Sequence, residues 1–164
     1  ISTTYAIGAS KRILSHLQLL SSNLEDLHYR TVVAEAALYA GLAFSNTRTA
    51  LAHSLSYPIT LHHGVPHGIA CSFTLPAIMR SVIGEDIITD NSLREIFGDN
   101  LEAGAIELEK FMNLLDVPLK PGEYGVDPVN WNSWISNALK GERGLNFIGK
   151  KNKAIRILNQ IVTG

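Results

Sequence analysis

Four of the six histidines, His53, His62, His63 and His67, fall between Thr49 and Met79, a stretch that contains no Asp, Glu, Lys or Arg. Neutral imidazole ligates transition metals without a compensating charge, so such a stretch suits a dry metal pocket. It equally suits a core whose histidines donate to backbone carbonyls, and residue spacing alone leaves both readings open. His53 and His67 form the stronger pair, fourteen positions apart with Pro58, Gly64 and Pro66 between them. That pattern predicts a helix ending near Tyr57, a loop through residues 58–66 and a new helix starting about His67, which would bring two imidazoles together as metal ligands. His63 and His67 are also i, i+4, but Gly64 and Pro66 argue against a continuous helix there. His62 reads as a loop residue, and His16 and His28 as ordinary helix-surface residues.

The other reactive side chains carry less. Cys71 has no cationic neighbour in sequence to lower its pKa and is expected as a small buried core residue. Ser54 and Ser56 flank His53, but nothing nearby supplies an oxyanion-hole turn or an orienting carboxylate for a Ser–His pair. Trp131 and Trp134, at i and i+3, are expected to anchor a helix to the core. Glu102, Glu107 and Glu109 read as a solvated helix face, and residues 149–153, GKKNK, as a short basic loop at the start of the last helix.

The elements that must position these residues are helical. Ile13, Leu17 and Leu20 lie on one helix face, and Ser22-x-x-Glu25 has capping-box spacing before an Ala- and Leu-rich run from Leu24 to Phe44. Leu101, Ala105, Leu108, Met112 and Leu115 repeat the pattern after Asn100, with Pro118 as the stop. Ala154, Ile155, Leu158, Ile161 and Val162 form a stripe at the C-terminal end, and Ser92-x-x-Glu95 is a second capping-box pattern. No segment alternates apolar and polar residues for long, and residues 118–128 have the Pro/Gly density of a loop. The expectation is a single all-α, multi-helix domain over residues 1–164, with about seven or eight helices.

Composition excludes several classes of function. With 14 basic and 15 acidic residues and a net charge of −1, the chain has no basic patch for nucleic acid or an anionic membrane. The charge-free stretch is long enough to span a bilayer, which takes roughly 20 apolar residues, but its histidines and prolines would be costly in lipid. One cysteine leaves no internal disulfide and fits a reducing, cytoplasmic setting. The first twelve residues lack the basic-then-apolar order of a secretory leader. No glycine-rich nucleotide fingerprint, C-x-x-C, H-E-x-x-H or G-x-S-x-G occurs.

Residues 41–79, GLAFSNTRTALAHSLSYPITLHHGVPHGIACSFTLPAIM, resemble the signature region of the iron-containing, group III alcohol dehydrogenases. The matching positions, in order, are Gly41, Phe44, Ser45, Asn46, His53, Pro66, His67, Gly68 and Leu75-Pro76. Dehydroquinate synthases and glycerol dehydrogenases share the helical domain but space their histidines differently. The resemblance implies an N-terminal nucleotide-binding domain and a C-terminal helical domain of the dehydroquinate synthase-like type. It also implies a divalent metal, iron(II) or zinc, held by one Asp and three His. That metal polarises the oxygen of a small alcohol or aldehyde while hydride passes to or from NAD or NADP. Carried over by position, His53 and His67 are two metal ligands, and Phe44 lines the substrate pocket.

Departures qualify this. No Asp-x-x-x-His pair occurs within the chain, and no nucleotide domain is present, so residues 1–164 read as a fragment that is inactive alone and binds metal weakly through two ligands. Tyr57 stands where many members carry a further histidine near the nicotinamide, which touches the proton relay. It resembles a branch in which some members reduce phosphonate-bearing aldehydes, and it places Tyr57 beside Phe44 in the substrate pocket. The charge-free stretch, expected to be exposed in such a fragment, predicts self-association as a homo-oligomer, a dimer in the simplest case. The rival reading is a stand-alone helical module for oligomerisation or interaction.

Overall fold

The computed structural model describes residues 1–163. Among these it contains nine α-helices and no strand: α1 (Ser2–Ser22), α2 (Leu27–Ser45), α3 (Leu51–His63), α4 (His67–Ser72), α5 (Leu75–Val82), α6 (Ile87–Phe97), α7 (Leu101–Leu114), α8 (Pro128–Lys140) and α9 (Lys151–Thr163). The all-α expectation holds, with more helices than expected because two short ones, α4 and α5, split the charge-free stretch. Two 3₁₀ turns, Pro121–Tyr124 and Glu142–Asn146, lie in the segments before and after α8.

Several boundaries differ from the sequence expectation. Ser22 does not cap α2; α1 runs through it, and its Oγ donates back to Gln18 O. Asp26 is the cap instead, its carboxylate accepting from His28 N and Tyr29 N, a stronger acceptor than a serine hydroxyl for two backbone donors. Ser92 likewise sits inside α6 and donates to Ile88 O, while Asp86 caps that helix through Thr89 N. Asn100 does cap α7 as expected, through Ala103 N, but α7 ends at Leu114, before Pro118.

The largest departure is α3. It passes through Pro58 to His63, placing His62 on a helix rather than in a loop, and closes at Gly64 in the left-handed region (φ 66°). A proline inside a helix costs about 3 kcal/mol. Here Leu55 and Ile59, fully buried on either side of it, keep the helix continuous.

The core forms around α3, α8 and α9, where Leu51, Leu55, Ile59, Phe73, Trp131, Ile135 and Leu158 are buried. Trp131 is inaccessible and its indole N–H donates to Leu158 O at 2.9 Å, joining α8 to α9 as a core anchor. Lys151 and Lys153 of the basic segment reach Leu139 O and Ile83 O, so these lysines fasten α9 to its neighbours. The acidic face of α7 is also engaged, because Arg80 donates to both Glu102 and Glu109.

The charge-free stretch is divided between core and surface rather than forming one exposed face: one set of its apolar side chains is buried, while Tyr57, Leu61, His67 and Leu75 stay exposed. Leu51, Leu55, Ile59, Val65, Ala70, Phe73, Ala77 and Met79 are all buried. Helix α2 also exposes apolar side chains, at Leu27, Leu38, Leu42 and Phe44. This helix forms an antiparallel hairpin with α1, with Tyr5 against Tyr39 and Arg12 over the Tyr39 ring.

Removing the Trp131 indole would leave a large void at the α3–α8–α9 junction. Trp131→Ala is expected to lower unfolding free energy by about 3–5 kcal/mol, read as a fall in the urea midpoint by circular dichroism.

Candidate metal centre

His53 lies early in α3, on the face opposite Leu51 and Leu55, and Tyr57 follows one turn later. The left-handed turn at Gly64 and the extended Pro66 (φ −52°, ψ 133°) reverse the chain, so that α4 starts at His67 beside α3. The rings of His53 and His67 lie 5.5 Å apart between centroids, inclined at 70°. The predicted pair is thus brought together, although by a longer helix and shorter loop than its proline and glycine pattern implied.

Ser56 sets the orientation of His67. It is fully buried, its hydroxyl donates to His53 O at 2.8 Å, and its Oγ lies 3.3 Å from His67 Nδ1. With its single proton committed to the carbonyl, Ser56 accepts from Nδ1–H. The proton-bearing nitrogen is then Nδ1, and Nε2 keeps its lone pair. A hydrogen bond to one ring nitrogen in this way fixes which nitrogen of an imidazole is free to bind a ligand.

Cys71 departs from its expected place in the core. It is half-buried, one turn along α4 from His67, with Sγ 3.6 Å from His67 Nε2. One donor atom from each of His53, His67 and Cys71 lies within 4.8 Å of the others. Two imidazoles and a thiol at this spacing suit a borderline-soft divalent ion such as zinc or iron(II).

Aromatic rings wall the cluster. Phe44, at the end of α2, stacks on His53 with centroids 6.3 Å apart, and Tyr57 stacks on His67 at 5.8 Å. Phe44 is 55% exposed and Tyr57 45% exposed, so both present open ring surface at the mouth of the site. Over Tyr57 sits the Arg143 guanidinium, 4.9 Å from the ring centroid, its Nε donating to Thr49 Oγ1 at 2.8 Å. Glu142 beside it is engaged by Arg48, and no carboxylate among the described residues pairs with Arg143. Sequence reading missed Arg143, since the contact joins positions 94 apart. The remaining histidines lie elsewhere: His62 and His63 pack on Trp134, and His16 meets His28 and Tyr29 within the α1–α2 hairpin.

Burial holds the His53 pKa below the ordinary histidine value, with smaller contributions from His67 and the positive charge of Arg143. Burial pushes the Cys71 thiol up, partly opposed by the Ser56 hydroxyl. Both groups are therefore biased toward their neutral forms, and among the described residues no helix is long and apolar enough to cross a membrane.

Comparison with known proteins gives this architecture its place. Residues 1–160 match the model of the Fe-containing alcohol dehydrogenase family, C-terminal. The NAD-dependent methanol dehydrogenase of Bacillus methanolicus is 27% identical over 149 residues, covering 85% of this chain and 39% of that protein. Phosphonoacetaldehyde reductase of Streptomyces viridochromogenes is 34% identical over 77 residues, 47% of this chain and 19% of that protein. Among solved structures, the sulfoacetaldehyde reductase of Bifidobacterium kashiwanohense in complex with NAD+ superposes with a TM-score of 0.88 at 20% identity. That match covers 99% of this chain and 44% of the other. The helical fold is thus that of the C-terminal part of this family's proteins. The chain belongs to the iron-containing alcohol dehydrogenase family, and it spans 39% or less of the curated relatives described above.

The depressed His53 pKa has a consequence for stability. The folded state binds fewer protons than the unfolded one between the folded value and about 6.5, so stability is full above that window and is lost as pH falls through it. In the metal-free chain, ring-proton NMR is expected to show His53 protonating below about 6.5, with Arg143→Gln moving its midpoint upward. His53→Gln is expected to flatten the fall of the urea midpoint on acidification.

Proposed function

We propose that this chain is the metal-binding helical domain of an NAD(P)-dependent alcohol dehydrogenase or aldehyde reductase, with His53 and His67 as metal ligands and Phe44 and Tyr57 in the substrate pocket. The reading is carried by one observation: in a chain of this family, the two histidines and a thiol offer donor atoms within 4.8 Å of one another. Iron(II) or zinc held by His53 and His67 would supply Lewis-acid polarisation of a carbonyl oxygen, which makes the carbon a better hydride acceptor.

The residues of this chain do the rest of the work assigned to the domain. Ser56 presents His67 Nε2 toward the cluster, and burial keeps His53 neutral and available as a ligand. The Phe44 and Tyr57 rings flank the histidines, exclude water from two sides and leave a slot suited to a small carbonyl compound or alcohol. Arg143 supplies a positive charge across the Tyr57 ring. That charge favours a small aldehyde with an anionic terminus, the chemistry named in phosphonoacetaldehyde and sulfoacetaldehyde reductases.

Hydride transfer requires a nicotinamide, and the nucleotide is held by a further domain of the whole protein. Activity, dimer formation and cytoplasmic location are accordingly proposed for that whole protein, and residues 1–164 alone are inactive. The exposed apolar side chains of α2 also support a surface for further chain or a second copy.

Calorimetric titration of the chain with zinc, and with iron(II) under anaerobic conditions, is expected to give a single site. His53→Ala and His67→Ala should each weaken it by at least about tenfold; unchanged binding in both variants excludes this site. In the whole protein, Arg143→Gln is expected to raise KM for phosphonate- or sulfonate-bearing aldehydes by at least about tenfold while leaving neutral aldehydes little changed. That comparison is made by steady-state nicotinamide absorbance.

A further inference from the structure

We propose that a cavity of about 420 Å³ between α1 and the layer formed by α5, α6 and α7 is a binding site for a medium-chain aliphatic alcohol. The proposal stands apart from the metal reading, because the side chains that line this cavity include none of the histidines, nor Phe44, Tyr57 or Arg143.

Helical spacing builds the walls. Ile13 and Leu17 of α1 lie one turn apart on one face, and across the space from them are Ile78 of α5, Leu93 and Phe97 of α6 and Phe111 of α7. Helices α6 and α7 are themselves in close contact. A Cβ added at Gly104 would lie 2.5 Å from the Phe97 Cβ, so no room remains between them there. The free volume is therefore on the α1 side, under the α1–α2 hairpin.

Size and lining select an aliphatic ligand. Small-molecule sites occupy about 300–1,000 Å³ and are mostly apolar. An apolar cavity of about 150 Å³ already stays dry and takes up benzene. The polar side chains on this lining are three hydroxyls, Ser10, Ser72 and Thr89, and two of them commit their protons elsewhere. Ser72 donates to Gly68 O and Thr89 to Asp86. Water finds few partners on such walls, whereas a hydrocarbon chain gains dispersion contacts along all of them.

The mouth selects the head group. An adjoining recess of about 330 Å³ shares Leu14, Phe97 and Phe111 with the cavity and carries Lys11, Ser15 and Glu107 at its exposed rim. Neither Lys11 nor Glu107 forms an ion pair among the described residues. A carboxylate head would face Glu107 and an ammonium head Lys11, like charge against like. A hydroxyl accepts from Lys11 and donates to Glu107, so charge complementarity at the rim favours an alcohol. Occupation also ties α1 to the layer beneath it.

Calorimetric titration of the chain with n-octanol, n-octanoate and n-octylamine tests this. n-Octanol is expected to saturate a single site and to bind at least about tenfold more tightly than either charged analogue. Its binding should also slow amide hydrogen exchange in α1. Leu14→Trp, which sets an indole across the passage between recess and cavity, should weaken n-octanol by at least about tenfold with helical circular dichroism unchanged. Lys11→Met, at the exposed rim, should tighten n-octylamine by at least about tenfold. No saturable n-octanol binding, or binding that Leu14→Trp leaves unchanged, overturns the site. Equal binding of the three compounds, unmoved by Lys11→Met, overturns the alcohol assignment. A chain that sediments as a dimer and takes up no n-octanol gives this face to a second copy, which overturns the proposal as well.

Discussion

Burial of one face of α3 is the constraint on which the rest of the structure depends. Leu51, Leu55 and Ile59 recur every four residues and are shut away in the core cluster to which α8 and α9 also contribute. Once that register is set, residues two positions out of phase point the other way, and these are His53 and Tyr57. The apolar stripe that stabilises the domain therefore also aims an imidazole and a phenol ring outward. A shift of two residues along α3 would bury the histidine and expose a leucine. The same burial holds the helix together across Pro58, so the positioning of His53 relative to the turn at Gly64 rests on core packing rather than on local propensity.

Polar groups then refine what packing provides. Ser56 lies between the buried and outward faces of α3, where its hydroxyl spans a carbonyl of its own helix and the ring of His67 on the next. A side chain with one proton and two acceptor sites thereby converts a helix–helix contact into a choice of tautomer. The absence of carboxylates and lysines from this stretch has a physical rationale too. Neutral imidazoles can be partly buried without a counter-ion, whereas an isolated full charge there would be desolvated without compensation.

Much of this was legible in the sequence, and its limits are informative. The stripes at Ile13–Leu20, Leu101–Met112 and Ala154–Ile161 marked real helices because their period reports burial directly. The histidine pair could be read because Gly64 and Pro66 announce a reversal and His67 follows at once. Capping patterns misled at Ser22 and Ser92, where a serine three residues before a glutamate met a helix already in progress and simply bonded back to it. Pro58 misled because its local cost was visible and the burial that outweighs it was not. Cys71 was placed in the core on the strength of lacking a basic neighbour, yet its partner is an imidazole one helical turn away. Arg143 left no local signal, since the fold alone brings it to Tyr57.

The α1–α2 hairpin adds a different consequence. Helix α2 lies along α1 at the edge of the domain, with much of its apolar surface open, and such peripheral units are the parts of a protein that open at lowest free energy. Phe44, near the C-terminal end of α2, is the ring this hairpin lends to His53. Fraying there would withdraw the ring and admit solvent to the imidazole while the α3–α8–α9 core stayed intact. Solvent access to the cluster is in this way governed by the local stability of a marginal element rather than by the global stability of the domain.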